Sequence, residues 1–407
     1  MDSLPYEVTS AILDHIDYKK DIYQCTLVNK RFYNIMNPHL WYAPVRTSMF
    51  DDVNPENAFS IAQCLHAAHN HPSGFIHARD LGHYVRRLTF DSRDTPHHIF
   101  IVLEHTPFVE ELTLANENLD DISLDWIFRH CPGLYTLTLR NMPLITNDAM
   151  TSLAEYCREV DDLTLEGCPR LTSEALFPLH DMGIQRLHIR DCDTWGTHPK
   201  TALLLRLFDH RLTDLCIFHT KPGTRAINAT FLRCLSPLGT KNPEVPLPRL
   251  ESFYMAKGRG DPPLDNRVLI PFFKSHPLLA KFQLNEAIVN EDTFKAIAEY
   301  CPAMNQLELS LVDGLSSQVI RNLVKACPNL NWVGLTHCEL PRRCFPEVRT
   351  KGLLVDHLGQ RSTRLIRLDK DKLVFKPEDD VLTVSENEEA DASDVVQEDD
   401  SDFDEFW

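Results

Sequence analysis

Cysteine and histidine are the side chains of this chain that could bind a metal or act as nucleophiles. The sequence contains 12 cysteines and 19 histidines among 407 residues. Zinc sites use cysteines or histidines in closely spaced pairs, but the sequence has no C-x-x-C pair. We therefore expect no metal site, and we interpret one histidine-rich stretch as a solvated linker. Its histidines are His66, His69, His71, His77 and His83.

The spacing of the cysteines indicates packing. Val160, Leu163 and Leu165 form an apolar L-x-x-L-x-L pattern, with Cys157 three residues before it and Cys168 three residues after it. At the position three residues after the pattern, other copies carry small or apolar residues in place of cysteine. Packing allows this exchange, but metal binding does not. We therefore predict reduced, buried thiols. The cysteines at the two positions are Cys131, Cys157, Cys301 and Cys327 before the pattern, and Cys168, Cys192 and Cys338 after it.

The apolar pattern itself recurs along the chain, mostly every 24 to 29 residues. A fixed period in this range is typical of a solenoid, and the pattern resembles the leucine-rich repeat. We predict an α/β solenoid over residues 85–368, with short parallel strands inside and helices outside, and helix caps at Thr146, Asn290 and Ser316. The ten copies begin at Val85, Val109, Leu134, Val160, Ile184, Leu212, Leu250, Leu279, Met304 and Leu330.

One interval is longer than the rest. Leu212 and Leu250 are 38 residues apart, and the stretch between them contains Pro222-Gly223, Pro243 and Pro246. Because proline and glycine mark loops, we predict an insertion at about residues 219–249. It projects from the solenoid either as a binding element or as a tolerated surface excursion, and both readings stay open.

The charge of the chain is concentrated at its end. The formal net charge is -18, yet Glu378 to Trp407 contains fourteen acidic residues, and no Lys or Arg follows Lys376. Subtraction leaves about -4 for the remainder, without a basic patch, which argues against nucleic acid as a partner. Residues 369–407 are predicted to be a disordered acidic tail. With neither an apolar run of about 20 residues nor a secretory signal, we expect no membrane partner and a location in the cytoplasm, the nucleus or both.

The first 42 residues resemble an F-box. Pro5 suits the first turn of a helix, Asp21 is placed to cap a second helix, and Pro38 is expected to end a third. Phe32 stands where many F-box sequences have tryptophan, a mild departure. The resemblance implies that the segment binds a Skp-type adaptor. The residues that match the motif are Leu4, Pro5, Glu7, Ile12, Leu13, Ile16, Leu27, Val28, Phe32 and Trp41.

An F-box followed by cysteine-containing leucine-rich repeats resembles the substrate receptors of SCF-type cullin ubiquitin ligases. Residues 43–84 are then a helical linker and cap. The resemblance implies a non-catalytic subunit without a cofactor, joined to a cullin through the adaptor, whose repeats hold a protein substrate. The alternatives are a helical cap with no adaptor, a repeat scaffold acting outside a ligase, and a GTPase regulator of the Ran-activator layout, which lacks an F-box.

Residues between the apolar positions of each repeat should face the concave side. Exposed aromatic residues often dominate interface energies, so Tyr254 and Trp332 are the expected anchors. We predict that the middle and late repeats bind the substrate. The predicted contacts are Arg186, His188, Arg190, Tyr254, Lys257, Lys281 and Trp332.

Overall fold

The computed structural model describes most of the chain between residues 5 and 366. The predicted acidic tail, Leu4 and Lys257 lie outside the described residues. The described residues are 5–13, 15–16, 18–44, 58–70, 81–192, 199–208, 211–218, 229–236, 245–255, 264–285, 287–312, 314–336, 338, 340, 353–355 and 363–366.

Three helices open the chain and share a small apolar core. They are α1 (Tyr6–Leu13), α2 (Lys19–Thr26) and α3 (Lys30–Tyr42). Three helices of this size bury little surface alone, so this unit depends on what it packs against. The buried residues of this core are Leu13, Ile22, Phe32, Ile35 and Met36.

Two details of these helices differ from the prediction. Asp21 lies in the first turn of α2, because the helix begins after Tyr18, and it is therefore not the cap. Pro38 lies inside α3, which continues to Tyr42. Proline removes one helical hydrogen bond, and the packing of Trp41 beyond it against the solenoid core holds the last turn in place.

A fourth helix, α4 (Ala58–Asn70), and a short 3-10 turn, Leu81–Tyr84, lead into the solenoid. Ala58, Ile61, Ala62 and Leu65 are buried in the main core. A helix thus lies within the expected helical linker and cap, and it packs on the core of the repeats.

Among the described residues, ten parallel strands form the inner sheet, and each coincides with one copy of the apolar pattern. The register aligns equivalent positions, for example Leu137 with Leu163 and Leu163 with Leu187. The predicted horseshoe of parallel strands is thus confirmed. The strands are β1 (Arg87–Phe90), β2 (Glu111–Leu114), β3 (Thr136–Arg140), β4 (Asp162–Glu166), β5 (Arg186–Arg190), β6 (Asp214–Phe218), β7 (Ser252–Met255), β9 (Lys281–Asn285), β11 (Gln306–Ser310) and β12 (Trp332–Thr336).

Helices cover the outer side of the sheet, and the predicted caps form. Thr146 accepts a hydrogen bond from the Asp148 N–H, and Asn290 and Ser316 cap their helices in the same way. The helices are α5 (Pro96–Glu104), α6 (Asp121–His130), α7 (Asn147–Tyr156), α8 (Leu176–Leu179), α9 (Pro199–Leu205), α10 (Ala229–Leu235), α11 (Asn266–Ser275), α12 (Glu291–Tyr300) and α13 (Ser317–Ala326).

The predicted insertion contains a regular part of the solenoid. Helix α10 lies within residues 219–249 and buries Phe231, Leu232 and Leu235 in the main core. The prediction that this stretch projects from the solenoid does not hold for α10, because the prolines flank an apolar helical segment that packs in the core. Two short strands, β8 (Leu264–Asp265) and β10 (Ala287–Ile288), pair outside the main sheet.

The last strands depart from the repeat. β14 (Thr363–Ile366) pairs antiparallel with β12, and β13 (Leu353–Val355) pairs antiparallel with β14. The solenoid region therefore ends in an antiparallel pair beyond the tenth parallel strand. The sequence pattern, which follows parallel repeats, does not predict this reversal.

The repeat cysteines belong to the core. The Cys157 thiol donates a hydrogen bond to the carbonyl oxygen of Cys131 at 3.3 Å, and burial raises the pKa of Cys131 to about 12. The described cysteines form no disulfide with one another. These observations confirm the prediction of buried thiols in the repeats. Within the described ranges, no helix is long and apolar enough to span a membrane.

Candidate functional site

The N-terminal helices present apolar side chains to solvent. Leu27 and Val28 are each 62% exposed, and Ile12 is 51% exposed. Val8 and Tyr23 are also exposed on the first two helices. Val8 and Ile12 lie on α1, and Leu27 and Val28 lie in the turn after α2. Large apolar residues exposed on a small domain are candidates for a surface that a partner covers. We call Val8, Ile12, Leu27 and Val28 the apolar helix surface.

The residues predicted to bind an adaptor divide into two sets. Ile12, Leu27 and Val28 are exposed, as are Pro5 and Glu7, whereas Ile16 is half-buried. Two others are buried in the core that the three helices share, and their contact with an adaptor stays a prediction. These are Leu13 and Phe32, 5% and 8% exposed.

The N-terminal helices are joined to the solenoid by packing and hydrogen bonds. Trp41 packs against the main core, and the Arg86 N–H donates to the carbonyl oxygen of Tyr42 at 2.9 Å. The Lys19 ammonium donates to the Ala43 carbonyl oxygen. Trp41 is therefore part of this junction, and its contact with an adaptor stays a prediction.

The concave side carries one row of residues that align across the ten strands. Because neighbouring side chains in a strand point to opposite faces, this row faces away from the apolar core. Polar side chains dominate its first half. We call it the central row, and its members are Thr89, Thr113, Thr138, Thr164, His188, Cys216, Tyr254, Gln283, Glu308 and Gly334.

Ion pairs between neighbouring strands balance much of the concave charge. Arg87 Nη2 lies 2.8 Å from Glu111 Oε1, and this hydrogen bond raises the pKa of Arg87. Arg186 Nε lies 2.8 Å from Asp162 Oδ2, and its Nη2 lies 3.6 Å from Asp161 Oδ1. Partly exposed pairs of this kind add little stability, but they fix side-chain positions for a partner.

The remaining predicted substrate contacts differ in accessibility. His188 Nε2 lies 3.2 Å from Asp214 Oδ1, Lys281 is exposed, and Trp332 and Arg190 are half-buried. Tyr254 is only 7% exposed, and burial raises the pKa of its phenol. The expectation that Tyr254 is an exposed anchor is therefore wrong.

A close contact in the late repeats was not predicted. Glu308 and Gly334 are aligned on adjacent strands, and a Cβ at position 334 would lie 2.1 Å from Glu308 Oε2. The Thr336 hydroxyl donates to Glu308 Oε1 at 3.1 Å. The missing side chain of Gly334 makes room for this carboxylate, and the glycine in the L-x-x-L-x-L pattern was the available signal.

Metal chemistry has no support in the described part of the chain. Within it, no group of three or more His, Cys, Asp or Glu side chains could hold a metal ion. His66 lies beside His105, with ring centroids 6.3 Å apart, and the side chains of His69, His71 and His77 lie outside the described residues.

Comparison with known proteins supports the two-part architecture. A family model described as F-box-like matches residues 1–47. These residues thus form an F-box-like domain, which precedes the leucine-rich-repeat solenoid defined by the strand register. No curated protein matches the chain in a sequence comparison.

Three solved structures are similar at low identity. A chain from the crystal structure of the yeast Rad7 and Elc1 complex is 16% identical, with 81% of this chain and 92% of that chain covered and a TM-score of 0.37. A chain from the TLR13–ssRNA13 complex is 16% identical, with 62% and 36% covered and a TM-score of 0.42. The leucine-rich repeat-containing protein LegL7 from Legionella pneumophila is 13% identical, with 71% and 81% covered and a TM-score of 0.31.

Proposed function

We propose that this protein is the substrate-recognition subunit of an SCF-type E3 ubiquitin ligase. In this proposal the F-box-like domain docks on a Skp-type adaptor and, through it, on a cullin. The concave face of the repeats binds a protein substrate for ubiquitination. The subunit is non-catalytic and acts in the cytoplasm, the nucleus or both.

The apolar helix surface is the observation that carries this proposal. It lies within the residues that match the F-box-like family, and its residues are exposed although the same helices have a core of their own. Covering a Leu or Val side chain fully contributes roughly 1.5–3 kcal/mol. Docking of Ile12, Leu27 and Val28 on an adaptor would therefore supply several kcal/mol.

The repeats supply a second surface, separate from the first. Ion-paired arginines and half-buried polar residues line the concave side, a composition suited to a folded or extended protein partner. The role we propose is positional, because holding a target next to an activated ubiquitin raises its effective concentration.

Affinity purification of the tagged full chain, followed by mass spectrometry, tests the proposal. We expect a Skp-type adaptor and a cullin to copurify with the wild type and to be lost from a Leu27→Glu/Val28→Glu variant. Ile122→Glu is the matched control, because Ile122 is also exposed and apolar but lies on α6 of the solenoid. Recovery of the adaptor without a cullin would favour a scaffold acting outside the ligase, and absence of the adaptor would contradict docking.

A further inference from the structure

Arg190 lies on the concave side and, unlike the arginines near it, forms no ion pair with a described carboxylate. It lies at the end of β5, half-buried on the same face as Arg186. Arg186 is held by Asp161 and Asp162. Between residues 5 and 366, no carboxylate of a described residue forms an ion pair with Arg190. A half-buried guanidinium without a counterion is poised to receive an anion.

The nearest carboxylate in register already serves another arginine. Glu166 aligns with Arg140 on one side and with Arg190 on the other. Arg140 Nε lies 3.1 Å from Glu166 Oε2. Strands in a sheet are about 4.8 Å apart, so two arginines, Arg140 and Arg190, flank the one carboxylate of Glu166.

The residues beside Arg190 on the next strand, β6, do not supply a negative charge for it. The positive charge of Arg190 favours the thiolate of Cys216, yet burial raises the pKa of Cys216 to about 11. The thiol is therefore neutral near pH 7. The residue aligned with Arg190 on β6 is Phe218, which has no charge.

We propose that Arg190, assisted by Arg140, binds an oxyanion carried by the protein substrate. The chemistry shared by the candidate groups is a pair of oxygens that a guanidinium can hold with two parallel hydrogen bonds. Such a group is either the carboxylate of an acidic side chain or the phosphate of a phosphorylated side chain. This inference rests on the proposed function, since it assumes that the concave face receives a substrate.

Binding of the purified full chain to synthetic peptide mixtures tests this assignment. The probes are 15-residue mixtures with identical random flanks and a fixed central residue: Asp, Glu, phosphoserine, Asn or Ser. We expect the wild type to retain the anionic mixtures at least about tenfold better than the neutral ones, the range of a charge-assisted hydrogen bond. Preference for phosphoserine over Asp and Glu would identify the phosphate source, and the reverse would identify the carboxylate.

Three variants make the result specific to this site. Arg190→Gln should abolish the preference, and Arg190→Lys should keep part of it, because lysine retains the charge but not the planar fork. Arg158→Gln removes one charge from an exposed turn before β4 and should leave the preference intact. If the melting temperatures of Arg190→Gln and Arg190→Lys equal that of the wild type, misfolding is excluded as the cause of a lost preference.

Two outcomes would overturn the inference. One is a wild type that retains anionic and neutral mixtures equally. The other is an anionic preference that Arg190→Gln and Arg158→Gln preserve alike. Neither outcome bears on adaptor docking, which involves the N-terminal helices and is tested by a different experiment. Failure of this inference can therefore be distinguished from failure of the proposed function.

Discussion

The Arg86 N–H donates a hydrogen bond to the carbonyl oxygen of Tyr42 at 2.9 Å, where the last residue of α3 meets the beginning of the first repeat. Trp41 precedes this contact and packs into the solenoid core. The F-box-like helices are thus packed directly on the repeats. In a ligase, this packing would fix the distance between the adaptor and the substrate.

A single methyl group added at Gly82 should destabilise the junction between the N-terminal helices and the first repeat. A Cβ there would lie 1.9 Å from the backbone oxygen of His105, which cannot move without shifting the end of α5. We expect Gly82→Ala to lower the free energy of unfolding by about 1–3 kcal/mol, as overpacking does, in a urea titration. Gly133→Ala is the control, because nothing lies within 4 Å of its Cβ. Equal stability of the two variants would show that the close approach is not a constraint.

One repeat turn contains a residue poorly suited to its backbone. Leu311 has φ of 54°, and at the equivalent turns Asn141 and Asp191 both have φ of 50°. The left-handed region costs most L-residues roughly 1–2 kcal/mol, and asparagine tolerates it better. We expect Leu311→Asn to stabilise the protein by about 0.5–1 kcal/mol, measured as a higher urea midpoint.

The reciprocal change and a control make this test selective. Asn141→Leu should destabilise the chain, because it places leucine at φ of 50°. Leu278→Asn also replaces an exposed leucine, but at a position outside the left-handed region, and it should give no gain. A gain for Leu278→Asn as large as that for Leu311→Asn would contradict the explanation by backbone strain.

Stability should depend on the protonation of His276. This residue is buried, its Nε2 lies 3.1 Å from the carbonyl oxygen of Pro246, and its Nδ1 lies 2.9 Å from Ser275 Oγ. Nδ1 also lies 2.9 Å from the carbonyl oxygen of Phe272, to which the Ser275 hydroxyl donates at 2.8 Å. The neutral ring has one N–H, which donates to the carbonyl of Pro246 or of Phe272 according to the tautomer. Burial lowers the pKa of His276 below its ordinary value, so the folded state takes up a proton less readily than the unfolded chain.

The sign of the pH effect follows from that difference. The contribution of His276 is present above the unfolded pKa of about 6.5 and is lost as the pH falls toward the lower folded pKa. We expect the melting temperature of the wild type to fall more steeply between pH 7.5 and 5.5 than that of His276→Gln. Parallel pH profiles for the two proteins would show that the buried ring does not titrate in this window.

The inner sheet could be predicted because its information is local. Each copy of the pattern places its own apolar residues on one face, and repetition aligns the copies, as Leu163 and Leu187 show. The caps at Thr146 and Asn290 are equally local, since the side chain bonds a backbone N–H two or three residues away. The burial of Cys157 follows from its fixed offset to the pattern.

Other features depend on contacts between distant segments. Pro38 remains inside α3 because Trp41 packs on the solenoid, and α10 forms inside the predicted insertion because neighbouring repeats bury Phe231. The candidate substrate face shows the same limit. Arg186 and Arg190 each align with an acidic residue on the preceding strand. Only the side-chain contacts show that Arg186 is ion-paired with Asp162, whereas Glu166 is paired with Arg140.

The affinity of the purified full chain for a purified Skp-type adaptor, measured by isothermal titration calorimetry, tests the central claim most directly. We predict saturable one-to-one binding to the wild type and to Ile122→Glu. Leu27→Glu/Val28→Glu should bind at least about 100-fold more weakly, because an apolar interface cannot solvate two buried carboxylates. Equal affinity of all three proteins, or no binding by the wild type, would contradict the assignment of the apolar helix surface as the adaptor site.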